Sequence, residues 1–291
     1  MTEAHAARQP LDHLVLPTIS LDVARTRLTS LGFVVAPNGI HPFGTENCCV
    51  FLADGTYLEP LAVGNTQAAA LAIAQGNVFV ARDRLYRDSR GEDGFSALVL
   101  GTGDAEADHA RYVEAGVSAG DILNFSRAFV DTSGKSAMAS FKLAFASASG
   151  TADAFLFACE RVNAPKIDRM ALQAHVNGAA GIVEVVAVSD IPGDQGRLIS
   201  IATGAEGENT FDLPNARLAV LTCAELETRL GVPVDAPSKL RFAAIVFSVR
   251  NAGIAAKLLA ANGIAHDIRG SDIVVQAAPG QGAAFIFREI R

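Results

Sequence analysis

The stretch LDHLVLPTISLDVARTRLTSLGF, Leu11 to Phe33, decides the fold, because its pattern returns three more times along the chain. An apolar strand, Leu11-Asp12-His13-Leu14-Val15-Leu16, leads into a helix start at Ser20 or Asp22, residue types that accept hydrogen bonds from the free N–H groups of a first turn. Leu21, Ala24, Leu28 and Leu31 then fall on one helical face, and Gly32 stops the helix. The second copy begins at FSALVL from Phe95, has a helix from about Asp104 with Ala110 and Val113 inward, and closes on Ala115-Gly116-Val117. The third, IVEVVAV from Ile182, is the weakest: its helix after Asp190 is interrupted by Pro192 and Gly193 and closes at Thr203-Gly204. The fourth is clean, with FAAIVFSV from Phe242, Asn251 as N-cap, Ile254, Ala255, Leu258 and Leu259 inward, and Asn262-Gly263-Ile264 at the end.

Between each helix and the next copy the chain reads as short β-branched or aromatic runs separated by turn residues. In the first unit these cover about 33–36, 46–53 and 56–63, with Asp54-Gly55 as a hairpin signal. In the second they cover about 121–130, 136–147 and 153–159, and in the fourth about 264–268, 272–277 and 282–288, with Pro279-Gly280 as a turn. Each unit is therefore βαβββ, and the class is α+β. One helix covers one face of a four-stranded sheet, so the other face must meet a second such sheet, and two curved sheets enclose a cleft. The four modules pair into two domains: 1–162, the active cleft, and 178–291, shorter in its loops, joined by a connection over 163–177 that starts at Asn163-Ala164-Pro165.

Composition agrees with this division. At 291 residues the chain exceeds one ordinary core; half of it is apolar and 19% charged, which leaves little room for disorder. A net charge of −7 with scattered Lys and Arg offers no basic stripe, so nucleic acid and anionic membrane are excluded as partners. No run approaches the ~20 apolar residues of a membrane span, and the opening MTEAHAARQP resembles no export signal. The expected location is cytoplasmic. Cys48, Cys49, Cys159 and Cys223 show no CxxC spacing and read as reduced packing residues.

LDHLVL, the helix ending LGF, Gly39-Ile40-His41-Pro42-Phe43-Gly44-Thr45-Glu46-Asn47, Tyr57-Leu58-Glu59 and His175-Val176-Asn177-Gly178-Ala179 together resemble the glyoxalase-like branch of the vicinal oxygen chelate superfamily, and the expected source is bacterial. The resemblance implies paired βαβββ modules forming glyoxalase-like domains. It also implies a divalent metal (Zn, Fe, Mn or Ni) held in the cleft by residues of the first and last strands of paired modules. His13 and Glu59 stand at those positions, with a third ligand from His41, His175 or, if the register shifts by one, Glu160. Glu59 draws attention on its own account, since a carboxylate within Tyr-Leu-Glu-Pro-Leu is costly to bury unless paired. Aligned repeats put Ala97 opposite His13 and Phe157 opposite Glu59, so the partner module supplies neither ligand.

Glu59 and Glu160 are the candidate catalytic carboxylates, and His41, Asn47, Tyr57, Arg161 and Asn177 the candidate substrate-binding residues, Arg161 as a fork for a carboxylate. In the second half Glu184 aligns with His13, while Ala244 and Phe287 fill other ligand positions, which gives that half a structural or regulatory role. No nucleophile elbow, HExxH or calcium loop is present. Two functions stand open. One is a metal-dependent lyase, isomerase or dioxygenase acting on a small oxygenated metabolite. The other is a metal-free small-molecule binding or sequestering protein of the same fold, as monomer or homodimer.

Overall fold

Ser20, rather than Asp22, caps the first helix: its hydroxyl accepts from the Val23 N–H. The computed structural model describes residues 7–130, 136–148, 154–164, 168–231 and 240–290. The first module runs β1 (Leu11–Pro17), α1 (Leu21–Ser30), β2 (Gly39–Ile40), β3 (Thr45–Asn47), β4 (Val50–Phe51) and β5 (Tyr57–Val63). Two helices follow, α2 (Thr66–Ala74) and α3 (Val78–Arg90). The second module is β6 (Ala97–Thr102), α4 (Ala105–Glu114), β7 (Leu123–Val130), β8 (Ser136–Ala146) and β9 (Phe155–Asn163). The third is β10 (Ala179–Val188), α5 (Pro192–Thr203), β11 (Thr210–Asp212) and β12 (Arg217–Leu221), followed by α6 (Cys223–Leu230). The fourth is β13 (Arg241–Val249), α7 (Ala252–Ala261), β14 (Asp267–Arg269), β15 (Asp272–Val275) and β16 (Ala284–Glu289).

The repeat is visible in the pairing. Each module's first strand lies parallel to its own last strand: β1 with β5, β6 with β9, β10 with β12 and β13 with β16. First strands of neighbouring modules run antiparallel, β1 with β6 and β10 with β13. Modules one and two thus share a nine-stranded sheet, ordered β2-β3-β5-β1-β6-β9-β8-β7 with β4 on β5, and modules three and four a seven-stranded one. The modules join edge to edge through their first strands. They do not face each other as separate sheets, as the layer argument expects, because a free edge strand is itself an unsatisfied surface.

Several local readings change. On α4 Ala110 and Val113 are exposed and Ala105, Asp108 and Tyr112 face inward instead, and on α7 Ile254 is exposed while Ala255 and Leu259 are buried. Residues 33–36 form no strand. Pro192 begins α5 instead of interrupting it, since a first-turn residue has no intrahelical N–H bond to lose. Among the described residues the third module has two strands after its helix, not three. The segment between Val63 and Phe95, where the repeat places nothing, holds α2 and α3, capped by the side chains of Asn65 and Asn77.

The convex faces of the two sheets and their helices form one continuous core. Phe33 packs against Phe247, Phe285 and Phe287, Phe95 stacks on Phe242 at 4.6 Å, and Asn262 on α7 donates to Ser30 O on α1. The concave face of the first sheet is filled separately, by Phe145, Phe155 and Phe157 from β8 and β9 and by Phe79 and Val80 from α3. Buried Arg87 fastens α3 there: it pairs with Asp83 and donates to the Thr18 and Leu61 carbonyls. The sheet curls until its edges approach, with Phe125 on β7 lying 5.2 Å from Phe43 and 6.0 Å from His41, just beyond β2.

Candidate functional site

β1 carries adjacent residues, Asp12 and His13, into one network, although strand alternation sends neighbours to opposite faces. The register against β6 supplies the reason: Leu11 pairs with Leu100 and His13 with Val99, so Asp12 is the extra residue of a bulge. His13 Nδ1 lies 2.9 Å from Asp12 Oδ1, and its Nε2 3.2 Å from Glu59 Oε2 on β5. Asn47 Nδ2 donates to Glu59 Oε1 at 2.5 Å, and His41 Nε2 stands 3.7 Å from the same oxygen. On the far side both terminal nitrogens of Arg161 donate to the two Asp12 oxygens, the second at 2.6 Å. Tyr57 stacks on His13 with centroids 4.3 Å apart, and Phe157 meets it edge-on at 5.8 Å.

Charges therefore alternate along Arg161, Asp12, His13 and Glu59. Burial pushes the Asp12 carboxyl up, but the hydrogen bonds of His13 and Arg161 outweigh it and hold the group at about 2. Burial acts likewise on Glu59, which His13, His41 and Asn47 hold at about 2. Burial would strip the proton from His13, yet its two carboxylates raise the imidazole above its ordinary 6.5. His41, whose Nδ1 is 2.9 Å from Thr45 Oγ1, is pressed down by burial to about 4 and stays neutral. The network holds an imidazole between two carboxylates that favour its protonated form, nearly sealed from water at His13, Asn47 and Glu59. It opens at the Asp12 and Arg161 end onto a cavity of about 550 Å³, which Asp54, Thr102 and Asn215 also line.

The structure thus gathers His13, His41, Asn47, Tyr57 and Glu59, with Arg161 attached through Asp12. It does not bring Glu160, His175 or Asn177 to them. Glu160 turns to the helix side and accepts from the Ala105 N–H at the start of α4. His175 accepts at Nδ1 from the Val34 N–H, and its Nε2 is 2.9 Å from Phe51 O, so both ring nitrogens are committed to backbone. Asn177, fully buried, donates to Leu31 O and accepts from the Ala179 N–H, tying α1 to the start of β10. Asn177→Ala is expected to lower stability by about 1–3 kcal/mol, as two buried backbone groups lose their partner, with no change in ligand binding; urea unfolding beside calorimetry checks both. Asp12 was not singled out in the sequence because strand parity hides it; a bulge leaves no local signal.

A divalent ion does not fit these residues. The antiparallel register centres on Leu14 and Leu98, so the two-fold of the sheet maps His13 onto Ala97. Since Val15 pairs with Glu59 and Val99 with Phe157, it also maps Glu59 onto Phe157. Half of a symmetric ligand set is apolar. His41 does not make up the number, because the Asn47 amide, a donor, stands 2.5 Å from Glu59 Oε1 and 3.5 Å from His41 Nε2, where a cation would have to lie. Among the described residues no three His, Cys, Asp or Glu side chains are arranged to hold a metal ion. In the second sheet Glu184 is paired with Arg229 and Arg288, and Arg288 with Asp272, a satisfied ion network.

A family model described as a glyoxalase-like domain matches residues 11–195. Among curated proteins none matches the chain. Of solved structures, a hypothetical protein from Staphylococcus aureus superposes with a TM-score of 0.62 at 14% identity, over 96% of this chain and 99% of that one. A triple mutant of 4-hydroxymandelate synthase from Streptomyces coelicolor gives 0.61 at 13%, over 97% and 92%. A fusion of a xylose isomerase-like TIM barrel with a 4-hydroxyphenylpyruvate dioxygenase gives 0.51 at 10%, over 98% of this chain and 49% of that one. At these identities the likeness is one of fold. No helix among the described residues is long and apolar enough to cross a membrane.

Proposed function

We propose, given that this chain belongs to the glyoxalase-like domain family, that it binds a small oxygenated organic molecule without a metal ion, its imidazolium–carboxylate network standing where a metal centre would be. One observation carries the reading: His13 is held at both ring nitrogens by carboxylates, while the two-fold places Ala97 and Phe157 at the mirrored positions. An imidazole protonated at both nitrogens has no lone pair for a cation. The charge it supplies is fixed beside Asn47 and neutral His41, which leaves a polar floor beneath the aromatic rings of Phe43, Phe79 and Phe125. Aromatic rings gathered around a few convergent polar groups are the kind of lining that small-molecule sites use.

Metal uptake tests this directly. Protein purified in metal-free buffer and then offered Zn²⁺, Mn²⁺, Fe²⁺ or Ni²⁺ is expected to retain no stoichiometric metal by elemental analysis, and chelation is expected to leave its melting temperature unchanged. One bound equivalent that is lost in both His13→Ala and Glu59→Ala, at matched folding, would restore the metal-dependent enzyme reading.

A further inference from the structure

Arg127 lies outside the network just described, next to its Asn47 end and away from the Asp12 and Arg161 opening. On β7, Leu123, Phe125 and Arg127 are half-buried while Asn124, Ser126 and Ala128 are exposed, so the first three share the concave face. Across the ladder Phe125 stands opposite Phe141 and Arg127 opposite Ala139, and the small alanine leaves the guanidinium free to lean over Phe141, 5.9 Å from the ring centroid. β7 and β2 are the opposite edges of the sheet, and no ladder joins them among the described residues. Arg127 nevertheless reaches β2. A Cβ built on Gly39 would come within 2.7 Å of Arg127 Nη1 and 2.5 Å of Asn47 Oδ1. The guanidinium therefore spans the seam and rests over glycine backbone, next to the amide that holds Glu59.

Among the described residues Arg127 shares the lack of a carboxylate partner with half-buried Arg25, Arg27 and Arg169, but of these it alone rests on Gly39 beside Asn47, at the seam. Arg87, Arg161, Arg229 and Arg288 are each paired with a carboxylate. Arg127 has no carboxylate partner among the described residues, although it is half-buried against aromatic rings, where an unpaired charge is costly. Glu59 does not serve as that partner, because its two oxygens already face His13, Asn47 and His41. A planar guanidinium at the lip of an aromatic-lined seam is matched to an incoming carboxylate by its fork geometry.

We infer that Arg127 is the specificity-determining anchor of the site, and that the ligand is a small organic acid whose carboxylate it takes while the apolar body lies against Phe43, Phe125 and Phe141. This deepens the metal-independent binding reading and rests on it. The test is calorimetric titration of the full chain with benzoate and with its neutral counterpart benzamide. The unaltered protein is expected to bind benzoate and not benzamide. Arg127→Gln is expected to weaken benzoate at least about tenfold and Arg127→Lys less, because a point charge keeps the attraction without the fork. Gly39→Val, which fills the space under the guanidinium without touching its charge, is expected to weaken benzoate as well, and serves if the Arg127 variants fold poorly. Equal binding of the two probes, no benzoate binding, or an affinity unchanged in Arg127→Gln overturns the inference. Metal content measured on the same preparation keeps the two readings apart: a bound metal defeats the first, and loss of carboxylate preference in a metal-free protein defeats only this one.

Discussion

Glu59→Ala is expected to destabilise the protein by about 3–5 kcal/mol at pH 7, the cost of removing one partner from a buried charge pair. The carboxylate accepts from Asn47 and faces the imidazolium of His13 at 3.2 Å, and all three side chains are buried. Without it, the amide loses an acceptor and His13 keeps a buried positive charge compensated by Asp12 alone. The double variant His13→Ala/Glu59→Ala is expected to fall short of the sum of the single losses by about 1–3 kcal/mol, as neighbours in one network do. Glu59→Gln keeps the volume and isolates the charge. Urea unfolding measures all three. Additive single losses would mean that His13 and Glu59 do not form one unit, and the metal-free reading would lose its physical basis.

The second large effect is on pH dependence. Glu59 and Asp12 fall from ordinary values of 4.5 and 3.8 to about 2, so both contribute stability that is present above about pH 4.5 and lost as the pH falls toward 2. Taken singly each shift corresponds to about 2–3 kcal/mol, and the pair to less than the sum because both lean on His13. His41 acts in the same direction over a higher window. Its folded value of about 4 lies below the ordinary 6.5, so the unfolded chain takes up the proton first and stability drops as the pH falls from 6.5 to 4. His13 has the opposite sign: raised above 6.5, it contributes fully below that value and its share fades as the pH rises through the folded value. Stability is thus expected to peak near pH 6.5 and decline on both sides, with His41→Gln flattening the arm between 6.5 and 4. Melting temperatures across pH 2–9 check it, and a plateau on the alkaline side would show that His13 is not an imidazolium in the folded state.

Much of the molecule is legible in its sequence because the information is periodic. The helix at Leu21–Ser30 announces itself by Leu21, Ala24 and Leu28 at helical spacing behind a Ser cap; capped helices at 105–114 and 252–261 are legible too, but the inward face of 105–114 is Ala105, Asp108 and Tyr112 and not Ala110 and Val113. Hairpin chemistry at Asp54-Gly55 sets the turn before β5, and with it the strand that carries Glu59. Glu59 could be found because a carboxylate inside an apolar strand violates the expected alternation. The helices at 66–74 and 78–90 escaped, since they belong to no repeat and serve to fill the concave face of the sheet, a need created only once the sheet has curled.

The sequence by itself determined four related strand-and-helix units, the apolar faces that make them fold, and the positions of His13, His41, Asn47 and Glu59 as polar residues in apolar surroundings. Tertiary structure alone decided what those residues are to one another. The bulge at Asp12 turns a neighbour of His13 into its ion partner, and the antiparallel register of β1 on β6 sets Ala97 and Phe157 against His13 and Glu59. The curl of the sheet brings Arg127 from one edge to Gly39 on the other. Periodicity is a local property, carried by spacings of two to four residues, whereas a pKa, a metal fit or a carboxylate anchor depends on distances of 2–4 Å between groups far apart in the chain, which strand pairing and curvature alone can set.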